Sequence, residues 1–237
     1  MALPKLNDMP KYSVTIPSLN EEVRVRPFVV KEEKVLLIAM ESKDTKQVAH
    51  AIIDTISSCI QDDFDVKRLT SYDVEYLFTQ IRGKSVGEQT KVGITCPDCE
   101  TENDLEINLG DIKIVGEVPD SKLKLNDDIT LEMKSPTYLQ VAENEKIIGK
   151  NATSMDRLFG LIIASMDAVM TEDERTSFRD VPYEESVEFL ESMNTAQFAK
   201  IREYMESQPS LKHDIEYDCG GCGKHQKLTL EGMNDFF

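Results

Sequence analysis

Polar and apolar residues alternate from Tyr12 to Ile16 and again over Val23-Arg24-Val25-Arg26. Pro17-Ser18-Leu19-Asn20 between the two runs carries turn chemistry, so a hairpin ending at Pro27 is expected. From Lys31 to Met40 the run Val35-Leu36-Leu37-Ile38-Ala39-Met40 is too continuous to show a period; its length and its flanking Lys and Glu predict a mostly buried helix. Asp44 or Thr45 can cap a second helix, whose Val48, Ala49, Ile52, Ile53, Ile56, Cys59 and Ile60 form one apolar stripe. A third helix carries Val74, Leu77, Phe78 and Ile81 and is expected to stop at Gly83, a residue suited to the left-handed conformation that ends helices.

A β segment follows: Val92 and Ile94, a Cys-Pro-Asp-Cys turn, then Leu105, Ile107 and Leu109. Leu123 and Leu125, Asn126-Asp127-Asp128, and Ile129, Leu131 and Met133 read as another hairpin. Ser135-Pro136 is expected to open a helical region, Ser as cap and Pro at the first helical position. The strongest helical signal runs from about Ser154 to Met170, where Met155, Leu158, Phe159, Ile162, Ile163 and Met166 follow helical spacing without a gap. Beyond the acidic Thr171-Glu172-Asp173-Glu174 segment, one helix is expected around Val187, Leu190 and Met193, and another capped by Thr195 with Phe198, Ile201 and Met205. Ile215 and Tyr217, a Cys-Gly-Gly-Cys turn, and Leu228 and Leu230 form a closing hairpin.

The two Cys-x-x-Cys turns change this picture from a list of elements to a topology. Cys96, Cys99, Cys219 and Cys222 each lie at a hairpin tip, and such turns are the two halves of a zinc ribbon, together offering a tetrahedral four-sulfur shell. The 119 residues 100–218 that separate the knuckles far exceed the gap of a compact ribbon. The ribbon is therefore read as split, with a hairpin and a helical region inserted into it. One structural Zn²⁺ would staple the end of the chain to its middle, and structural zinc sites in peptides bind with about 10–16 kcal/mol at neutral pH. A full shell leaves no open position for substrate. His225 is the one residue placed to replace a sulfur, although a solvated loop histidine is the plainer reading. A redox Cys-x-x-Cys opens a helix after a strand, whereas both of these sit between strands. Cys59 shares the apolar stripe of its helix and is read as core.

The fold class that results is α+β: an N-terminal hairpin and helices over residues 1–90, split zinc-ribbon hairpins over 91–110 and 212–237, and an inserted hairpin and helical region over 111–211. No fixed-period repeat or Gly/Ser linker marks a boundary.

Charge and chemistry then narrow the function. With 44 acidic and 27 basic side chains among 237 residues the formal charge is −17, a field that repels nucleic acid and anionic membranes. The glutamates at 184, 185, 188, 191, 203 and 206 argue further against a groove-reading helix pair near the C-terminus. Met1 to Asp8 lacks the apolar stretch of a secretory signal, and no run approaches a membrane span, so a soluble protein with reduced thiols is expected. Gly83-Lys84-Ser85 resembles the tail of a phosphate loop, but Phe78 stands where the first glycine is required. No nucleophile elbow, zincin helix or glycine-rich dinucleotide loop is present. His50, His213 and His225 are scattered singly. The chain is not expected to be an enzyme.

The N-terminal third resembles the small baseplate hub subunits and hub-assembly proteins of T-even-type contractile-tailed phages. The resemblance is carried by Met1 to Leu6, Tyr12 to Ser18, Arg26-Pro27-Phe28-Val29-Val30-Lys31-Glu32-Glu33-Lys34, Ala39 to Ser42, Asp73-Val74-Glu75-Tyr76 and Arg82 to Glu88. It implies a viral structural or assembly protein of the tail baseplate hub, working through contacts with other hub and tail-tube proteins in a symmetric assembly, made in the host cytoplasm and located in the virion tail. A cellular zinc-ribbon adaptor or regulator is the alternative from another class, and an unrecognised hydrolase a third. Arg26, Pro27, Phe28, Lys31, Glu32 and Lys34 are candidates for partner contact; they read equally as the corner between the hairpin and the first helix. Phe236-Phe237 can dock on a neighbour, cover the ribbon or fray.

Overall fold

The computed structural model describes residues 9–148 and 152–236; the Met1 to Leu6 block and Phe237 lie outside them. Two compact units result, one built from residues 1–115 and 210–237 and the other from 116–209. The architecture is mixed, with small antiparallel sheets and helices.

The first unit opens on the expected hairpin, β1 (Tyr12–Ile16) and β2 (Glu21–Val25), in a register that sets Tyr12 opposite Val25. Helices α1 (Val30–Ser42), α2 (Thr45–Cys59) and α3 (Ser71–Val86) follow. Asp44, rather than Thr45, caps α2, its carboxylate accepting from the N–H groups of Lys46 and Gln47. The α2 stripe is buried as its spacing requires: Ile52, Ile53, Ile56 and Cys59 have at most 1 % of their surface exposed.

Two expectations fail here. Helix α1 is not mostly buried: of its residues only Leu36 and Ala39 are, and Val35, Leu37, Ile38 and Met40 face outward. Helix α3 does not stop at Gly83 but runs to Val86, and Gly87 at φ +134° ends it. A glycine inside a helix costs about 1 kcal/mol, which long-range contacts overcome. Gly83 packs beside Leu109, 4.0 Å from where its own Cβ would stand. Two residues on, the Ser85 hydroxyl donates to the Ile81 carbonyl and accepts from the Phe28 N–H.

The blocks that carried the resemblance form the joints of this unit. Asp73, fully buried, accepts from the Ser18 N–H at 2.9 Å and from the Thr70 hydroxyl, tying the β1–β2 turn to the start of α3. Arg26 pairs with Glu32 at 2.9 Å, and the second oxygen of Glu32 accepts from the Val29 N–H, closing the first turn of α1.

Strands β3 (Gln89–Thr95) and β4 (Glu102–Asn108) form the second hairpin, followed by the short β5 (Lys113–Val115). The chain then builds the other unit. Strands β6 (Lys122–Lys124) and β7 (Thr130–Met133), helices α4 (Tyr138–Ile148) and α5 (Ser154–Ser165), strands β8 (Met166–Met170) and β9 (Arg175–Ser177), and helices α6 (Tyr183–Glu191) and α7 (Thr195–Glu206) follow in order. The four strands make one sheet in the order β6-β7-β8-β9, over a core of Leu131, Met133, Ile162, Met166, Leu190 and Ile201.

Three expected boundaries in this unit move. The helix expected from Ser154 to Met170 ends at Ser165, because residues 166–170 pair with β7 on one side and β9 on the other. Met166 and Ala168 are buried in strand alternation, a second pattern hidden inside the helical one. Ser135 does not cap α4. Thr137 and Gln140 exchange the capping bonds two residues later, and the Ser135 hydroxyl bonds instead to Gln208 at 2.5 Å. Asn194, not Thr195, caps α7 in a reciprocal box with Gln197.

The chain returns to the first unit as β10 (Ser210–Asp218) and β11 (His225–Glu231), which join β5 in a sheet of order β11-β10-β5. Ile94, Ile107, Leu109, Ile112, Leu211, Tyr217 and Leu230 make a common core with Phe236, whose ring is fully buried. Phe236 thus covers the core beneath the cysteine hairpins.

Candidate metal centre

The tips of β3–β4 and β10–β11 carry the four cysteines. Each tip is bent by the same backbone pattern. In the first, Cys96 N–H donates to Thr101 O and Glu100 N–H donates to Cys96 O; in the second, Cys219 N–H donates to Lys224 O and Gly223 N–H donates to Cys219 O, all at 2.9 Å. A turn closed in this way sends both thiols of a Cys-x-x-Cys to one side.

The four sulfurs lie within 4.8 Å of one another and could hold a metal ion. Cys96 Sγ to Cys222 Sγ is 3.9 Å and Cys99 Sγ to Cys219 Sγ is 3.6 Å. These distances are too long for a disulfide and are compatible with a bound metal ion. A disulfide needs sulfurs about 2.05 Å apart. A tetrahedron with metal–sulfur arms of about 2.3 Å has edges of about 3.8 Å, close to the Cys96–Cys222 and Cys99–Cys219 separations. All five cysteines of the described residues are free thiols. Within each knuckle the first cysteine, Cys96 or Cys219, is buried and the second exposed, so the cluster has one dry side and one wet side.

Electrostatics favour a thiolate in this cluster. Cys219 is pulled down to about 6 by the backbone N–H groups of Cys222 and Gly221 aimed at its sulfur. The Thr101 hydroxyl, 3.3 Å from Cys99 Sγ, holds that thiol below its ordinary value. For Cys222 the Lys224 N–H pulls the same way, but the surrounding sulfurs of Cys99, Cys219 and Cys96, together with the loss of water they cause, outweigh it and push the thiol up to about 11. Crowded thiols compete for protons in this manner until a cation takes their place. Cys59 stands apart: it is fully buried in α2, and burial pushes its thiol up to about 11. It takes no part in the centre.

Other residues join the two knuckles, and reading the sequence for motifs does not find them. Asn103, on β4, accepts from the Gly220 N–H at 2.9 Å through its carbonyl oxygen. Its amide donates to Thr101 O at 2.9 Å and points at Cys219 Sγ from 3.7 Å. Asp98 of the first knuckle pairs with Lys224 at 3.0 Å and accepts from Gln226 at 2.7 Å, contacts that keep its carboxyl acidic. An asparagine inside a strand beside a Cys-x-x-Cys is the signal that could have singled out Asn103, because strands disfavour it. His225 turns away to Asp218, 2.9 Å from Nδ1, on the exposed face of the hairpin.

The residues proposed for partner contact are divided by the structure. Arg26 and Glu32 face each other at the corner, the Arg26 guanidinium also donating to the Pro27 carbonyl, and Phe28 is half-buried beside Ser85. Lys31 and Lys34 are exposed on α1.

Residues 9–237 match the family model described as T4 bacteriophage base plate protein. The chain belongs to that family. No curated protein and no solved structure matches it. Membership over nearly the whole length gives this protein a structural role in a phage baseplate, among other baseplate proteins. The family favours a role without catalysis. Among the described residues no helix is long and apolar enough to cross a membrane.

Proposed function

We propose that this baseplate protein is a structural or assembly component of the central hub, acting through protein contacts, and that Cys96, Cys99, Cys219 and Cys222 hold one structural Zn²⁺ in a split zinc ribbon. The family match over residues 9–237 carries the baseplate reading and favours it over a cellular zinc-ribbon adaptor. The hub assignment rests on the blocks spread over residues 1–90. Zinc is favoured by an all-sulfur donor set, which suits a soft tetrahedral ion. The organisation that follows is a hairpin-and-helix region over 1–90, ribbon hairpins over 91–110 and 212–237, and an insertion over 111–211. Other hub and tail-tube proteins are the partners, met in the host cytoplasm during assembly of the virion tail baseplate.

The test is co-expression of the tagged chain with the tail proteins encoded around it, measuring recovered partners, mass and metal. A stoichiometric complex with hub or tube proteins, carrying about one zinc per chain as a filled shell requires, is expected. A complex with other baseplate components alone overturns the hub assignment, and recovery without metal overturns the zinc.

A further inference from the structure

Helix α1 exposes more apolar surface than its place in the fold explains. Val30 is 78 % exposed, Leu37 and Ile38 56 % each, Val35 45 % and Met40 44 %, all on a helix of 13 residues. Leu36 and Ala39 alone are buried, so they turn toward the unit. At about 100° per residue the opposite side carries Val30, Lys34, Leu37, Ile38 and Glu41 in one strip. Contiguous apolar patches of this kind on a folded chain mark interaction surfaces.

The order of charges along the strip says what fits it. Lys34 lies one turn before the Leu37-Ile38 pair and Glu41 one turn after it. Among the described residues neither has an ion-pair partner. Glu41 sits in the last turn of α1, where no basic residue is present and where the negative end of the helix dipole disfavours a carboxylate. A strip with a cation on one side of an apolar centre and an anion on the other is complementary to itself turned end for end. That is the relation a two-fold axis imposes on an interface between identical chains.

We propose that α1 is a self-association surface on which two copies of this chain pair with their α1 helices antiparallel, about a two-fold axis passing between Leu37 and Ile38. In this register Leu37 packs on the second copy's Ile38, and Lys34 faces the second copy's Glu41, twice by symmetry. Each Glu41 thereby gains the cation that its own helix end lacks, and the opposed helix dipoles run favourably. The contact is one short helix on each side, so the dimer belongs to the weak, concentration-dependent class. The pairing follows from α1 alone and does not depend on where in the baseplate the protein sits.

Sedimentation velocity on the full chain, over about 1–200 μM so as to span a weak equilibrium, tests this. The wild type is expected to pass from monomer to dimer. Leu37→Glu is expected to weaken association at least about tenfold, a loss of roughly 1.4 kcal/mol or more. Lys34→Glu and Glu41→Lys alone each set like charges against one another and weaken it, whereas the double reversal Lys34→Glu/Glu41→Lys restores it. Circular dichroism and metal content, unchanged in these exposed-site variants, establish that each is folded. A wild type that stays monomeric throughout, an association indifferent to Leu37→Glu, or a double reversal no better than the single ones overturns the proposal. The co-expression experiment above reads the hub assignment separately, since loss of the dimer leaves a complex with other baseplate proteins recoverable.

Discussion

Glu100 and Gly223 hold the same place in two loops far apart in the chain. Each follows the second cysteine of its knuckle, each has a positive φ, +59° and +68°, and each donates its backbone N–H to the carbonyl of the first cysteine at 2.9 Å. The same turn has thus formed twice, once with the residue suited to it and once without. A side chain in the left-handed region costs about 1–2 kcal/mol, and glycine avoids most of that cost.

Glu100→Gly is therefore expected to stabilise the metal-loaded protein by about 1 kcal/mol, and Gly223→Glu to destabilise it by about as much. Urea unfolding midpoints with unchanged slopes are the measurement. Glu100 is exposed, so no packing is lost to confuse the comparison.

The sulfur cluster predicts its own dependence on each thiol. Cys99→Ser removes one corner of the tetrahedron and is expected to lose stoichiometric zinc, with a fall in melting temperature on the order of 10 °C for the few kcal/mol that the metal contributes to a chain of this size. Cys59→Ala, at a site buried within α2, is expected to leave the metal content unchanged. Metal analysis and calorimetry on the two variants decide it; equal metal loss in both counts against the assignment.

Asn103 bridges the knuckles without being a ligand. Asn103→Ala is expected to weaken metal binding by about 10–100-fold, the usual consequence of losing a group that orients a metal ligand. Competition with a chromophoric chelator reads this directly, and retention of wild-type affinity would reduce Asn103 to a strand residue.

Glu75 on α3 supplies a pH dependence away from the metal. Burial, with a smaller push from Glu231, raises its carboxyl to about 7 even though the Met233 N–H donates to it. The folded state holds the proton more tightly than the unfolded chain, whose glutamate titrates near 4.3. The stabilisation from this proton is complete at acidic pH and is lost as pH rises through about 7. Glu75→Gln, which stays neutral, is expected to be more stable than wild type at pH 8 by about 1–3 kcal/mol and to differ little at about pH 4, below the unfolded value. Denaturation at the two pH values measures it.

Local pattern determined a good part of this protein. Alternation beside turn residues is a short-range signal, so the β1–β2, β3–β4, β6–β7 and β10–β11 hairpins were legible, as was the α2 stripe that buries Cys59. The four cysteines announced their common site through spacing alone, because two Cys-x-x-Cys turns have few structural uses. Tertiary structure decided what depended on distant neighbours. Met166 to Met170 satisfies both a helix and a strand, and the flanking strands β7 and β9 chose. Gly83 stays within α3 beside Leu109, in a helix anchored to Phe28 through Ser85. Asn103 became part of the centre only when Gly220 arrived from the other end of the chain. Helix α1, apolar enough in sequence to be read as core, fully buries only Leu36 and Ala39. Hydrophobicity states that a residue gains by leaving water; which surface covers it is set by the elements that pack beside it.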